Sequence, residues 1–195
     1  MEMTKKLVRT GIAAVVALAC AVALTFSLAA CGGKSDEEQI KEVLTTEFDS
    51  FKNIGDEAKQ IFKDSGGSSL EAMGINADDF LNGWLKDFDY SIGDITVNGD
   101  KAEAKVSVTA KKLMDAINGF VTSFQEWAAT ATGLSEDDYM KKGGEMVMDS
   151  INKQQAATSE ITVTLEKKDG KWAVDSAGEA AVIEAVVGDT SSLGM

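Results

Sequence analysis

Histidine is absent from all 195 residues of this chain, and its absence excludes several kinds of chemistry. Serine–histidine and cysteine–histidine nucleophile systems need an imidazole, and so does histidine-ligated zinc. The side chain whose ordinary pKa lies nearest neutrality is also missing. Any acid–base chemistry would therefore need an Asp, Glu, Lys or Tyr with a shifted pKa.

Cysteine is almost as scarce, since the chain has two and both lie near its start, at Cys20 and Cys31. No cysteine follows Cys31, so the rest of the chain can form no internal disulfide and no thiolate zinc site. The predicted domain must therefore be stabilised by its core alone.

Positive charge is the third shortage. The chain has 19 Lys and Arg against 32 Asp and Glu, a formal net charge of −13. A surface of this sign argues against nucleic acid as a partner and against direct adhesion to anionic lipid head groups. Two interpretations of the acidity stay open: it keeps the protein soluble, or it attracts a cationic ligand or partner.

The amino-terminal segment has a pattern that does point to a location. An uncharged run at 11–30 follows three basic residues, Lys5, Lys6 and Arg9. The run closes on the four residues Leu28, Ala29, Ala30 and Cys31, which resemble the lipobox of a bacterial lipoprotein signal peptide. The resemblance implies export, a diacylglyceryl group on Cys31, cleavage before that cysteine, and anchoring by lipid (palmitate or a similar acyl chain) on the extracytoplasmic face of the cell membrane.

An uncleaved membrane helix is the alternative, because the run is long enough to cross a thin bilayer. The cysteine at the boundary, followed by two glycines, favours the lipoprotein interpretation. On that interpretation the chain divides into a cleaved signal peptide (1–30), a short lipidated tether (31–35), a single α+β domain (36–188) and a polar tail (189–195).

Helical spacing dominates the first part of the predicted domain. Ser35 and Glu38 have the types and spacing of a capping box. Apolar residues then recur every three or four positions, with an irregularity expected at Gly55 and an end expected at the four residues from Ser65 to Ser68. A second helical region follows, and Asn76 is expected to cap its later segment.

Two hairpins and three further helices are predicted after it. Alternating apolar residues flank Asn98–Gly99, with a bulge expected at Gly93, and a second alternating pair flanks Asp169–Gly170. Helices at 113–128 and after Ser135 separate the hairpins. The last helix is expected to be capped by Ser176 to Glu179 and to stop at Gly188. The pattern predicts an α+β fold, a four-stranded antiparallel sheet of two hairpins packed against helices, with one polar face.

The hairpin segments FDYSIGDITVNGDKAEAKVSVT and EITVTLEKKDGKWAVDS, together with the lipobox, carry a family resemblance. The chain resembles lipoproteins of Gram-positive bacteria with a cystatin-like, nuclear transport factor two-like domain, over roughly residues 38–188. The resemblance implies a curved sheet packed against helices and no catalytic residues. The helical insertion at 113–157 is long for a compact version of that fold.

Large aromatic side chains with a polar group are the candidate lining of a ligand cleft between helices and sheet. They are Trp84, Tyr90, Trp127, Tyr139 and Trp172. Core packing is the other interpretation, and the apolar period of their elements favours it. No metal site is predicted, because the calcium-like start at Asp87, Asp89 and Ser91 lacks the required glycine and the terminal glutamate.

The sequence therefore predicts a non-enzymatic binding or interaction domain that needs no cofactor. Its partners would be the membrane, through the lipid on Cys31, and a small ligand, a peptide or a surface protein; an unpaired strand edge offers one further docking mode. The alternative is an enzyme of the same fold with a buried carboxylate and Tyr90 or Tyr139 within about 6 Å. A transporter's solute receptor would need two lobes.

Overall fold

The apolar stripe after Ser35 forms the first helix, α1 (Asp36–Lys52), in a computed structural model that describes residues 33–189. The predicted capping box is present: Ser35 Oγ accepts from the Glu38 N–H at 3.2 Å, and the Glu38 carboxylate accepts from the Ser35 N–H at 2.9 Å. The helix buries four large apolar side chains of one face: Ile40, Leu44, Phe48 and Phe51.

The predicted signal peptide, the lipobox and Cys31 lie outside the described residues, as does the tail after Asp189. Within residues 33–189, no helix has both the length and the apolar character that crossing a bilayer requires.

Short helical segments follow α1 and bring the chain back to the carboxyl-terminal end of that helix. They are α2 (Asp56–Phe62), a π-helical turn (Lys63–Gly67), α3 (Ser68–Ala72) and α4 (Ala77–Leu85). The break expected at Gly55 is present, since Gly55 is the N-cap of α2. As predicted, Asn76 caps α4, accepting from Asp78 N–H at 2.8 Å.

The prediction that the helical segment ends at residues 65–68 was wrong. The chain continues through the π-helical turn into α3, and Gly67 has ordinary helical angles (φ −59°, ψ −37°). The continuation buries Phe62 and Leu70 on either side of the turn. Glycine permits a helical conformation at a modest cost, and that burial outweighs the cost.

Four antiparallel strands form one open sheet in the order β1-β2-β3-β4, which confirms the predicted two-hairpin architecture. The strands are β1 (Asp89–Asn98), β2 (Lys101–Ala110), β3 (Ala157–Lys168) and β4 (Lys171–Val174). β2 pairs over its full length with β3, from Lys101 opposite Glu166 to Ala110 opposite Ala157. This central pairing joins the two hairpins.

The register alternates as the sequence predicts. The inner residues of β2, from Ala102 to Ala110 in steps of two, are buried, while Lys101, Glu103 and Lys105 are exposed. The predicted bulge lies between Ile92 and Ile95 of β1. The helices therefore cover one face of the sheet, and the other face is polar.

The turn chemistry of the two hairpins differs. In the second, Asp169 and Gly170 both have positive φ (52° and 75°), as a type I′ turn requires. In the first, Asn98 still pairs with Lys101 as a strand residue, and the turn is Gly99–Asp100 with positive φ at Gly99 alone. The turn is therefore one residue later than predicted.

The remaining helices are α5 (Leu113–Ala128), α6 (Glu136–Lys153) and α7 (Ser176–Val186). Ser135 caps α6 as predicted, whereas the cap of α7 is Asp175, one residue before the expected Ser176. Gly144 lies where α6 meets the end of α3, and a Cβ there would lie 2.0 Å from the carbonyl oxygen of Met73. The glycine thus permits a close approach.

Candidate functional site

A cavity of about 300 Å³ opens between the end of α1, the loop after it and α4. Its apolar lining comes from four residues: Phe51, Ile54, Leu81 and Leu85. Phe51 and Leu81 are only 5% and 2% exposed and belong to the core. The volume is at the lower end of the range, roughly 300–1,000 Å³, in which proteins hold small molecules.

The polar lining of this cavity is cationic or amide in character. It consists of Lys52, Asn53, Lys59, Asn82 and Lys86, and no Asp or Glu is among the lining residues that the structure describes. An acidic chain of net charge −13 thus has three ammonium groups at one concave site. These residues come from α1, α2, α4 and the loops at the helix ends.

Lys52 is the last residue of α1 and is already paired. Its Nζ donates to Asp89 Oδ1 at 2.6 Å and lies 4.9 Å from the ring centroid of Tyr90. The hydrogen bond from Lys52 lowers the pKa of Asp89. Lys52 therefore joins α1 to the first residue of β1.

Lys59 and Lys86 are less fully engaged. Lys59 Nζ lies 3.9 Å from Asp78 Oδ1, and the same carboxylate also pairs with Lys63 at 3.3 Å. Lys86 follows the last residue of α4 and is exposed, and no ion-pair partner for it lies within residues 33–189. Asp87, the next residue, has φ 69°, a left-handed conformation that Asp tolerates better than most residues.

Two helix C-termini, those of α1 and α4, also end at this cavity. Each carries a partial negative charge of roughly half an elementary unit, which is compensated by nearby cations. Lys52 and Lys86 lie at these two ends. Part of the lysine charge therefore balances the helices, and Lys59 adds a third cation.

The five aromatic residues proposed for a cleft do not form one group in the structure. Trp127 and Tyr139 do lie together, with ring centroids 5.2 Å apart, and both contact Phe124 at the outer end of the α5–α6 pair. They are half-buried. Trp84 and Trp172 are buried in different parts of the core, Tyr90 is half-buried against it, and none of the five lines the cavity described above.

Trp84 packs at the junction of α4, β2 and α6, where it is 2% exposed. Its indole N–H donates to the carbonyl of Lys111 at 3.0 Å. Lys111 is itself 3% exposed, and its ammonium group donates to Gly83 O at 3.0 Å and Ile151 O at 3.3 Å. Those carbonyls belong to the last turns of α4 and α6, so Lys111 caps two helices at once.

Trp172 fastens the start of α1 to the second hairpin. Its indole N–H donates to Asp36 Oδ1 at 2.9 Å, and Lys167 Nζ donates to the same oxygen at 2.6 Å. The hydrogen bond from Lys167, followed by that from Trp172, lowers the pKa of Asp36. At 4% exposure the indole is a core residue with a polar anchor.

Tyr90 stacks on Phe48, with ring centroids 5.0 Å apart, and its hydroxyl donates to Asp49 Oδ1 at 2.8 Å. Burial, followed by this bond to Asp49, raises the pKa of Tyr90 to about 12. The phenol therefore serves as a hydrogen-bond donor and stays neutral.

Glu47 is a buried carboxyl that was not predicted from the sequence. It is 9% exposed on the inner face of α1, and burial, with a smaller contribution from Glu179 on α7, raises its pKa to about 7. The spacing shows how it could have been found, since Glu47 continues the stripe of Ile40, Leu44 and Phe51.

The enzymatic alternative needed a tyrosine beside a buried carboxyl of raised pKa. Tyr90 contacts Asp49, whereas the raised pKa belongs to Glu47, two positions away and about 200° around the helix. Tyr139 packs against aromatic rings. The carboxyl that Tyr90 contacts is therefore not the one whose pKa is raised, and the enzymatic alternative stays a prediction. Among residues 33–189, no three Asp, Glu, His or Cys side chains are grouped as metal ligands.

The cavity lysines were also missed, for a different reason. Lys52, Lys59 and Lys86 are each unremarkable on the exposed side or at the end of a helix. Only the return of α4 beside α1 brings them together, and no spacing along the chain reveals it.

Comparison with known proteins adds little to this geometry. No protein-family model matches the chain, and no curated protein matches it. A solved structure from Bacillus subtilis, named as a "putative lipoprotein (ycdA)", aligns with a TM-score of 0.43 and 16% identity. The alignment covers 68% of this chain, which spans less than half, 48%, of that protein.

Proposed function

We propose that this protein is a lipid-anchored, extracytoplasmic binding domain that holds a small molecule in the cavity beside α1 and α4 and performs no catalysis. The observation that carries the proposal is the cavity itself, in which buried apolar walls and several hydrogen-bonding side chains converge. The proposal includes the cystatin-like form of the sheet that the hairpin segments suggest.

The anchor half of the proposal depends on Cys31 and on its distance from the domain. α1 begins at Asp36, so the five residues from Cys31 span at most about 17 Å. Asp36 is fastened to Trp172 and Lys167. A lipid on Cys31 would therefore hold the domain close to the bilayer. Two acyl chains anchor a protein stably where one does not.

Metabolic labelling with a palmitate analogue in a Gram-positive host tests the anchor. The Cys31→Ser variant should lose the label and leave the membrane fraction. The Cys20→Ser variant is the matched control, because Cys20 lies in the segment expected to be removed, and it should keep both. Labelling that persists in Cys31→Ser would contradict the anchor.

The binding half is tested with 1-hexanol as an apolar probe, on the full chain in lipid nanodiscs. Methyl NMR should show saturable shifts at Ile54, Leu81 and Leu85. The Asn82→Trp variant, which places an indole in the exposed mouth, should abolish them. Asn118→Trp, an equally exposed position on α5, should not. Shifts that fail to saturate, or that survive Asn82→Trp, would contradict a binding cavity.

A further inference from the structure

We propose, resting on the binding function above, that the ligand is a small organic anion with one acidic head group and a short apolar chain. The juxtaposition behind this inference is three lysines and two amides around a mouth whose inner wall is apolar. Among the described residues, no carboxylate lines the cavity to repel such a head group.

The exposure of the lining residues predicts how a ligand would be oriented in the cavity. Leu81 and Phe51 are buried, whereas Lys86, Asn53 and Asn82 are exposed. An apolar chain would therefore point inward, where it leaves water, and the acidic group would stay at the mouth beside the ammonium and amide donors.

The carboxylates that pair with the lining lysines leave one of the three lysines unpaired. Asp89 pairs with Lys52, and Asp78 is shared between Lys59 and Lys63. The two helix C-termini together carry about one further negative charge. Lys86 is the lining lysine without a carboxylate ion-pair partner among the described residues, so its ammonium group is the one available to a ligand at the mouth.

The net charge of the protein limits where an anion can gain affinity. Because the chain as a whole has a formal net charge of −13, long-range repulsion disfavours approach of any anion, so an anion must gain its affinity from contacts at the mouth. Such contacts are short-ranged and weaken with salt where the groups are exposed. We therefore expect a modest, salt-sensitive preference.

Three probes of equal chain length separate the head group from the chain: hexanoate, 1-hexanol and hexylammonium. Each is titrated into the full chain in nanodiscs, with free concentrations corrected against empty discs. Hexanoate should bind at least about fivefold more tightly than 1-hexanol, as expected for charge-assisted bonds to partly exposed lysines. Hexylammonium should bind most weakly, and 0.5 M NaCl should reduce the hexanoate preference.

Variants assign the preference to the mouth. Lys86→Gln should lower hexanoate affinity about threefold or more and leave 1-hexanol affinity unchanged, and Lys86→Arg should restore it. Lys153→Gln, whose side chain is 78% exposed on α6, is the matched control and should have no effect.

Each outcome bears on one claim. If 1-hexanol and hexylammonium bind as tightly as hexanoate at the three cavity methyls, the anion inference is wrong while the binding function stands. If none of the probes shifts those methyls saturably, the binding function is wrong as well. A hexanoate preference that is unchanged in Lys86→Gln would also overturn the inference.

Discussion

Lys111 and Lys86 lie near the carboxyl ends of helices, yet their surroundings are opposite. Lys111 is 3% exposed, and its ammonium group donates to Gly83 O and Ile151 O. Lys86 is exposed beside an open cavity, and no ion-pair partner for it lies in the described part of the chain. The first lysine is fully engaged in holding α4 and α6 to β2, and the second is free to meet a ligand.

The difference shows that lysine count alone says little about function. A buried ammonium group is tolerated only where acceptors replace its water shell, and the free carbonyls of two helix ends provide them. An ammonium group left in water at a concave surface keeps its capacity to bind. The two roles predict different responses to substitution.

Replacing Lys111 with Met should have the largest effect. The change leaves two helix-end carbonyls buried without a donor, and since each unsatisfied acceptor costs roughly 1–3 kcal/mol, we expect a loss of about 4 kcal/mol. Urea unfolding of the full chain in nanodiscs measures it. Lys112→Met, at the half-buried neighbouring position, should change the free energy of unfolding by less than about 1 kcal/mol. Equal losses in the two variants would contradict the capping role of Lys111.

Glu47 extends the comparison, because it is a buried carboxyl whose side chain accepts no hydrogen bond from the described residues. Its pKa is about 7 in the folded protein, against 4.5 ordinarily, so its protonated form stabilises the fold below pH 4.5. That stabilisation is lost as pH rises to about 7 and above. Glu47→Gln should therefore stabilise the protein by roughly 3 kcal/mol at pH 8 and by little at pH 4.5.

Thermal unfolding between pH 4.5 and pH 8 checks this prediction. Glu37→Gln, an exposed position on the same helix, is the control and should shift stability by less than about 0.5 kcal/mol at either pH. A Glu47→Gln variant that gains nothing at high pH would mean that the carboxyl is well solvated.

The indole of Trp84 supports the same junction more weakly. Trp84→Phe removes the bond to the Lys111 carbonyl and should cost about 1–2 kcal/mol. Trp127→Phe is the matched change at a half-buried indole that has no hydrogen-bond acceptor among residues 33–189, and it should cost less. Chemical denaturation of both variants checks this. The same cost in both would show that lost ring volume, rather than the hydrogen bond, sets the effect.

Lys86→Gln should have the smallest effect on folding, below about 0.5 kcal/mol, because the side chain is exposed and unpaired within the described residues. The same variant should nevertheless lose the hexanoate preference. Calorimetric unfolding and the probe titration, made on one sample, show whether stability and binding separate as this comparison requires.

Elements with local causes were predictable from the sequence. Ser35 with Glu38, the alternating residues of β2 and the Asp169–Gly170 turn each depend on neighbours a few positions away. The errors at residues 65–68 and at Asn98 arose where tertiary packing or strand pairing outweighed local turn chemistry. The roles of Gly144 and Lys111 were missed because their partners lie 28 residues or more away in the sequence.

The candidate site was the least predictable part. Large aromatic side chains were predicted to line a ligand cleft. Trp84 and Trp172 are instead buried, and their indole N–H groups donate hydrogen bonds that hold elements together. The cavity depends on lysines that converge only after folding. Glu47 was visible on the apolar stripe of α1, since a charge at such a position is rare.

The rate at which each lysine is reductively methylated in the native protein, with and without hexanoate, tests most directly whether Lys86 is available to an anion while Lys111 is fully engaged. Peptide mass spectrometry reads each site. We expect Lys86 to react quickly and to be protected by hexanoate, Lys153 to react quickly without protection, and Lys111 to react only on unfolding. Methylation of Lys111 at the rate of a surface lysine would contradict its capping role. A Lys86 methylation rate that hexanoate leaves unchanged would contradict anion binding at the cavity.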